Sequence, residues 1–471
     1  MQKKTVLVIQ AKLGFWLAVL GLLSISSCQV IEQAANQPVK KAVMDWSTPE
    51  LPGLNTLAID NLRGRTYGSQ FEWLTELSHD NPKYHSVIAS YISDGLRIYA
   101  RIDIPNKAPP KQGYPLVLFS HGWVGLSKAK DFDFFAKQQG SQAQYLNALA
   151  EDGFVIITPG WRGHGTVKGK QADGIEFIQR WDNATYIGPI FYAIDMLNAL
   201  DSIGSLSSAK WGAESIAIDL ERVSLSGHSQ GGDSALFALA VAGESSMVKN
   251  RIHAASIFSG CFLPRLKQGE LYGSMSMSAQ GFMAGDGSWT ASPQGHNGEL
   301  NPDFQFSFPP DWIGTTVQSD WTWQHDVWSR STVKQAFIKK YDEMYDGLKK
   351  NHLTRGVYQL KSDEKGRTKI EHPRDIQAAY AATSPIEYPQ YLQEPLVLHH
   401  SDRDYYSPPE WNEKLVASVV KSGGTALNFA YPGNTHSLTI SEHKWFSEDY
   451  SQAGLDKMIA HDIKWFKHPT Q

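Results

Sequence analysis

Arg222-Val223-Ser224-Leu225-Ser226-Gly227-His228-Ser229-Gln230-Gly231-Gly232 runs from an apolar stretch into a glycine-rich turn with a serine at its centre. It reads as a buried strand passing straight into a helix. In the pattern Gly227-x-Ser229-x-Gly231 a sharp strand-to-helix turn pushes the serine hydroxyl out above a sheet. Crowding at such a turn demands small flanking residues, which gives both glycines a steric reason to be there. Ser229 taken by itself could equally cap a helix. The rest of the chain therefore has to supply a base, an acid and two oxyanion donors in a workable order.

Working outward, continuous apolar runs recur at Leu116–Phe119, Phe154–Thr158, Val223–Leu225, Ala254–Phe258, Leu396–Leu398 and Ala426–Ala430. Strands apolar on both faces belong in a parallel sheet covered by helices on each side. Ile187, Ile190, Phe191, Ile194, Leu197 and Leu200 share one helical face, as do Leu455, Met458, Ile459, Ile463 and Phe466 near the C-terminus. Before the first run, Tyr84–Pro105 alternates around Asp94-Gly95, a hairpin signal. An antiparallel start followed by strand–helix repeats predicts an α/β fold, a mostly parallel central sheet flanked by helices. Residues 262–383 interrupt this pattern. They are rich in Trp, Gly and Ser and show no clean strand signal, with 333–350 as the best helix candidate. So long an interruption inside a domain reads as a functional insertion, a lid over the site.

Serine needs an adjacent base that is itself oriented by a third group. The last apolar run leads through Pro432-Gly433 to His436, the candidate base. The run before it leads into His399-His400-Ser401-Asp402-Arg403-Asp404, which offers two acids, Asp402 and Asp404. Gln230, directly after the serine at a helix N-terminus, offers one backbone N–H to an oxyanion.

These residues resemble the α/β-hydrolase fold, particularly its dienelactone-hydrolase and prolyl-oligopeptidase-like branches. His400-Ser401-Asp402-Arg403-Asp404-Tyr405-Tyr406-Ser407-Pro408 is similar to the H-G-x-x-D-x-x-V-P of those branches and puts the acid at Asp404, with Asp402 in reserve. Ser401 and Ser407 depart from that pattern. The order Ser229, Asp404, His436 is the α/β-hydrolase order. His121-Gly122-Trp123 resembles the H-G-x loop, which implies Trp123 as the second oxyanion donor. Gly160-Trp161-Arg162-Gly163-His164-Gly165 resembles the D-x-R-G-x-G loop, and Ser384-Pro385 the S-P segment before the acid strand. The resemblance covers about 84–262 and 384–467. It implies a Ser-His-Asp hydrolase working through an acyl-enzyme without a cofactor. Prolyl-oligopeptidase-like enzymes usually carry a β-propeller, which residues 29–80 are too few to form. A carboxylic ester is thus the expected substrate, a peptide the alternative, and a non-catalytic binding protein on this scaffold a third reading.

The N-terminus reads as an address. Lys3, Lys4 and Lys12 precede an apolar run, Leu13 to Leu23, too short to span a bilayer. It ends in Ile25-Ser26-Ser27-Cys28, which resembles the lipobox of bacterial lipoproteins and implies cleavage after residue 27 and lipidation of Cys28. Gln29 implies the outer membrane of the bacterial envelope. The expected organisation is a signal peptide at 1–27, a tether and N-terminal extension at 28–80, and one hydrolase domain at 81–471 carrying the 262–383 insertion.

Composition narrows the rest. Of 471 residues, 41% are hydrophobic and 20% charged, as in ordinary globular proteins. A net charge of -4, falling to about -7 once the three leader lysines are removed, gives no reason to expect nucleic acid. With Cys28 lipidated, Cys261 has no partner for a disulfide. His399-His400 with Asp402 could be imagined around a metal, but adjacent strand residues point apart and no H-E-x-x-H occurs, so no metal is expected. His121, His164 and His228 read as structural or pocket-lining.

Overall fold

The computed structural model describes residues 54–124, 140–176, 187–208, 215–260, 262, 264–266, 341–350, 354–362, 368–401, 407, 409–432, 436–439 and 453–469. All of them belong to one unit, Met44–Gln471. Its centre is a nine-stranded sheet: β1 (Glu72–Leu77), β2 (Tyr84–Ser93), β3 (Leu96–Pro105), β4 (Tyr114–Ser120), β5 (Val155–Pro159), β6 (Ile218–His228), β7 (Ala255–Phe258), β8 (Leu396–Ser401) and β9 (Ala426–Tyr431). The spatial order is β1-β2-β3-β5-β4-β6-β7-β8-β9. The six strands from β5 to β9 are mutually parallel, and β1, β2 and β3 join antiparallel at one side.

Each strand anticipated from an apolar run is present. All seven residues of β4 and all five of β5 are buried, as strands covered on both faces must be. The β2–β3 hairpin turns on Asp94 and Gly95, with φ of 49° and 84°. Two consecutive positive φ values define the type I′ turn, whose twist matches that of the flanking strands.

Alternation along the strands sorts the core into two faces. Leu116, Leu118, Val155, Ile157, Leu225 and Ile257 pack with helices α3 (Gly188–Ser202) and α4 (Gln230–Ala242). Val117, Phe119, Ile156, Phe258 and Val397 face the other way, onto α2 (Ser141–Asp152) and α7 (Ala453–Trp465). Pro189 starts α3, where a missing N–H costs nothing.

Two regions carry more structure than their sequence announces. Leu54, Leu57, Ile59 and Leu62, the last two on the short helix α1 (Ile59–Arg63), lie in the main core, and β1 extends the sheet edge. Their few apolar residues are too scattered to show a period. Within 262–383, Gln359–Ser362 and Thr368–Glu371 form a separate antiparallel pair. Four-residue strands of mainly polar side chains leave no readable alternation. Residues 341–350 are helical, and Tyr341, Met344, Tyr345 and Leu348 join the same core with Ile376 and Tyr380 of α5 (Arg374–Ala382). Helix α6 (Pro409–Lys421) adds Leu415 and Val419 to it. Trp289, Trp312, Trp321, Trp323, Trp328 and the leader with Cys28 lie outside the described residues.

Candidate active site

Registers align the strand ends that matter: Ser120 pairs with Gly227, His228 with Phe258, His399 with Phe258, and Ser401 with Tyr431. The C-terminal ends of β4, β6, β7, β8 and β9 therefore lie along one edge of the sheet. In open α/β sheets that carboxyl edge is where ligands bind.

Ser229 sits on that edge between β6 and α4, with φ 57° and ψ −126°. A non-glycine residue held there is strained, and strain of about 1–3 kcal/mol persists only where the surroundings enforce it. They do. A Cβ on Gly231 would lie 2.2 Å from both the Ser120 and the His121 carbonyl oxygens, and one on Gly227 would lie 2.5 Å from the Gly231 oxygen. The Ser229 N–H donates to the Phe258 carbonyl (3.2 Å), and the Ser229 carbonyl accepts from Gly232 N–H (2.9 Å). The fold is of the α/β class expected from the sequence, a mostly parallel sheet flanked by helices with the elbow serine on its carboxyl edge. Ser229 directly precedes α4, and the first N–H of that helix, which has no i−4 partner within it, belongs to Gln230, largely buried.

His436 is buried near the elbow. Its carbonyl accepts a hydrogen bond from His228 Nε2 at 2.9 Å, and the two imidazole centroids are 5.0 Å apart. His228 directly precedes Ser229, so one hydrogen bond docks the candidate base loop against the candidate nucleophile turn. The candidate acids, Asp404 and Asp402, lie outside the described residues, which stop at Ser401 and resume at Ser407.

The third loop comes from β4. A Cβ on Gly122 would lie 3.5 Å from Ser229 Cβ and 3.1 Å from His228 Nδ1, so this backbone passes directly beside the serine. Gly122 N–H donates to Gln142 Oε1 (3.1 Å), and His121 Nδ1 donates to the Gly122 carbonyl (2.8 Å). Trp123 follows with its side chain 56% exposed. Under the loop His121 stacks on Trp161 (3.8 Å, 22°), which stacks on Tyr192 (4.1 Å, 10°), while His164 meets Trp161 edge-on. Burial, then the neighbouring His164, pushes the His121 pKa down to about 3, and burial lowers that of His164 as well. His121 is thus neutral across the physiological range. Trp161 is itself at φ 59°. The next residue, Arg162, is fully buried against Asp195 of α3.

The Trp-rich interval is tied to the same helix. Arg265 pairs with Asp233 of α4 at 3.0 Å, both buried, while its Nε donates to the Thr383 carbonyl (2.9 Å) and its N–H to Ser384 Oγ (2.7 Å). Both ends of the insertion therefore meet on the helix that follows Ser229.

Among the described residues one group could hold a metal: His399, His461 and Asp462, with ligand atoms within 4.8 Å. The Asp462 carboxylate and both His399 ring nitrogens are already engaged. Asp462 accepts from Tyr145 (2.9 Å), Ser256 (2.5 Å), His399 Nε2 (2.9 Å) and His461 (3.2 Å), and His399 Nδ1 meets the Tyr431 hydroxyl (2.9 Å). Burial opposes charge on Asp462, but the His399 ring and these hydrogen bonds outweigh it and hold the carboxyl well below the usual range. This is a closed network that pins α7 to β7 and β8.

Gln142 and the docking role of His228 had no sequence signal. Gln142 is 20 residues from Gly122 and belongs to no motif, and His228 is only the variable position of the elbow.

No protein-family model and no curated protein matches the chain. Among solved structures, an acylaminoacyl peptidase of Pyrococcus horikoshii aligns over 85% of this chain and 42% of its own, at 14% identity and TM-score 0.42. A thermostable esterase from Pseudomonas putida aligns over 84% of this chain and 86% of its own, at 11% identity and TM-score 0.42. A puromycin-hydrolyzing peptidase of Mycobacterium tuberculosis aligns over 82% and 40%, at 13% identity and TM-score 0.41. The chain spans about two-fifths of the length of these peptidases and most of the esterase. These likenesses assign no role to any residue here.

Proposed function

We propose that the chain is a serine hydrolase that cleaves a carboxylic ester, with Ser229 as nucleophile, His436 as base and Asp404 as the acid that orients it. Ser229 Oγ bonds to the carbonyl carbon while its proton passes to His436, and the carbonyl electron pair moves onto oxygen. The N–H groups of Trp123 and Gln230 receive that oxyanion. Collapse breaks the bond to the alcohol oxygen, which takes the proton back from His436. Water then repeats the sequence on the acyl-enzyme and frees the acid. No cofactor enters this scheme.

The observation that carries the proposal is the strained elbow: Ser229 at φ 57°, beside Gly122, one residue from the His228 that docks the His436 carbonyl. Nothing in helix capping requires a serine at that φ, because an ordinary N-cap sits in the β region. The ester preference is supported by the exposed Trp123, which follows the Gly122 backbone that passes beside Ser229 and offers an apolar surface for an acyl chain. A panel of p-nitrophenyl esters and aminoacyl-p-nitroanilides tests it. Faster ester turnover is expected, and preferential nitroanilide cleavage would make the enzyme a peptidase.

The Cys28 lipid anchor in the bacterial envelope, probed separately, is also part of this proposal. In a Gram-negative host Cys28→Ser should move the chain from the membrane fraction to the soluble one. Unchanged fractionation would remove the anchor from the account.

A further inference from the structure

We infer that Gln142 is a positioning residue that orients the oxyanion loop by occupying the Gly122 N–H, leaving the Trp123 N–H as the loop's donor. The inference rests on the serine-hydrolase reading above and deepens it.

The argument starts from a conflict at Gly122. Glycine suits the close approach, because a Cβ there would crowd His228 Nδ1 at 3.1 Å and touch Ser229 Cβ at 3.5 Å. Glycine is also the residue whose backbone is least constrained, so both peptide planes flanking it are free to rotate. A catalytic donor has to be held in place before charge develops. The structure supplies two side-chain ties, one for each plane.

The plane before Gly122 carries its N–H, which donates to Gln142 Oε1 at 3.1 Å. The plane after it carries the Gly122 carbonyl, which accepts from His121 Nδ1 at 2.8 Å. A trans peptide is planar with its C=O and N–H antiparallel. Turning the Gly122 carbonyl to the His121 ring therefore turns the Trp123 N–H the other way. His121 is held from below by its stack on Trp161. Gln142 stands in the first turn of α2, fixed by the buried Ala143, Tyr145 and Leu146. Its amide is thus delivered by a rigid element, unlike an oxygen carried on the loop itself.

Gln142 touches neither substrate nor the reacting atoms in this scheme. Its effect should appear only where the oxyanion forms. The test compares full-length wild type, Gln142→Met and Ser229→Ala, using p-nitrophenyl butyrate as substrate and 1,1,1-trifluoropentan-2-one as an inhibitor that adds the serine as a hemiketal. Methionine keeps length and bulk but not the carbonyl acceptor. For Gln142→Met, kcat should fall about ten-fold, less than the roughly 10²–10³ lost with a whole donor. KM should stay within about two-fold, and the ketone Ki should rise by the factor by which kcat/KM falls. Turnover within about two-fold of wild type, or a raised KM with unchanged ketone binding, overturns the inference. If Ser229→Ala is inactive in that case, the hydrolase reading survives alone. If wild type itself does not hydrolyse the ester, the inference falls with the reading it rests on.

Discussion

Replacing Asp195 by alanine strands a buried positive charge, and its cost can be worked from the geometry. Arg162 and Asp195 are both fully buried. The carboxylate accepts from Arg162 Nη2 (2.7 Å), Arg162 Nε (3.1 Å), the Arg162 backbone N–H (2.8 Å) and Ser93 Oγ (2.6 Å). Burial alone would depress the guanidinium pKa, but the ion pair and hydrogen bonds with Asp195 outweigh it and raise it. A guanidinium is not deprotonated inside proteins, so the arginine stays charged when its partner is removed. Removing one partner of such a pair costs about 3–5 kcal/mol. With a urea m-value of about 3 kcal/mol/M the unfolding midpoint of Asp195→Ala should drop by about 1 M or more. The double variant Arg162→Met, Asp195→Leu should recover part of this, since apolar replacement of a whole buried pair is often neutral. Recovery stays partial because the Arg162 N–H and the Ser93 hydroxyl lose an acceptor, at about 1–3 kcal/mol. Urea unfolding followed by tryptophan fluorescence measures both. A loss under about 1 kcal/mol for Asp195→Ala, or a double variant less stable than the single, would refute the reasoning.

Three further outcomes are expected. Gly231→Ala drives a Cβ to 2.2 Å from the Ser120 and His121 carbonyls, both backbone, so it should lose at least the roughly 1–3 kcal/mol of an overpacked core and all ester turnover; wild-type melting and turnover would contradict the elbow packing. His121 has a native pKa of about 3, against about 6.5 unfolded. Its contribution to stability is therefore fully present above pH 6.5 and is lost as the pH falls towards 3. His121→Gln should flatten the stability–pH slope over that window by up to about 1.4 kcal/mol per pH unit, and urea titrations at stepped pH with parallel slopes would contradict it. Asp462 carries a depressed native pKa, so its contribution is present above about pH 4 and lost as pH falls through its lower folded value. Asp462→Asn should cost about 3 kcal/mol at pH 7 and less at pH 3, and an equal cost at both would argue that the carboxyl is not ionised in the fold.

Much of the fold was legible because it depends on local patterns. Leu116–Phe119 is apolar throughout, as strands covered on both faces are, and it lies in Tyr114–Ser120, a strand buried along its whole length. The Asp94-Gly95 turn and the Gly-x-Ser-x-Gly elbow carry their signal in the residues that permit unusual φ or close approach. What the sequence hid depends on contacts between distant positions. Nothing local marks Glu72–Leu77 as an edge strand, because half of its residues are exposed and its partner is Tyr84–Ser93. Gln142 meets Gly122 only because α2 begins above the end of β4. Arg265 and Asp233 are 32 residues apart and read as ordinary surface charges until the fold buries both. At the site, the order of Ser229 and His436 could be read from strand succession, whereas the docking of the His436 carbonyl by His228 could not.

The central claim is that Ser229 is an activated nucleophile. Reacting the full-length protein with a fluorophosphonate and measuring its intact mass tests it directly, with the adduct mapped by peptide sequencing. One adduct on Ser229 in wild type and none in Ser229→Ala is the predicted result. An unlabelled wild type, or labelling that persists in Ser229→Ala, would contradict the account.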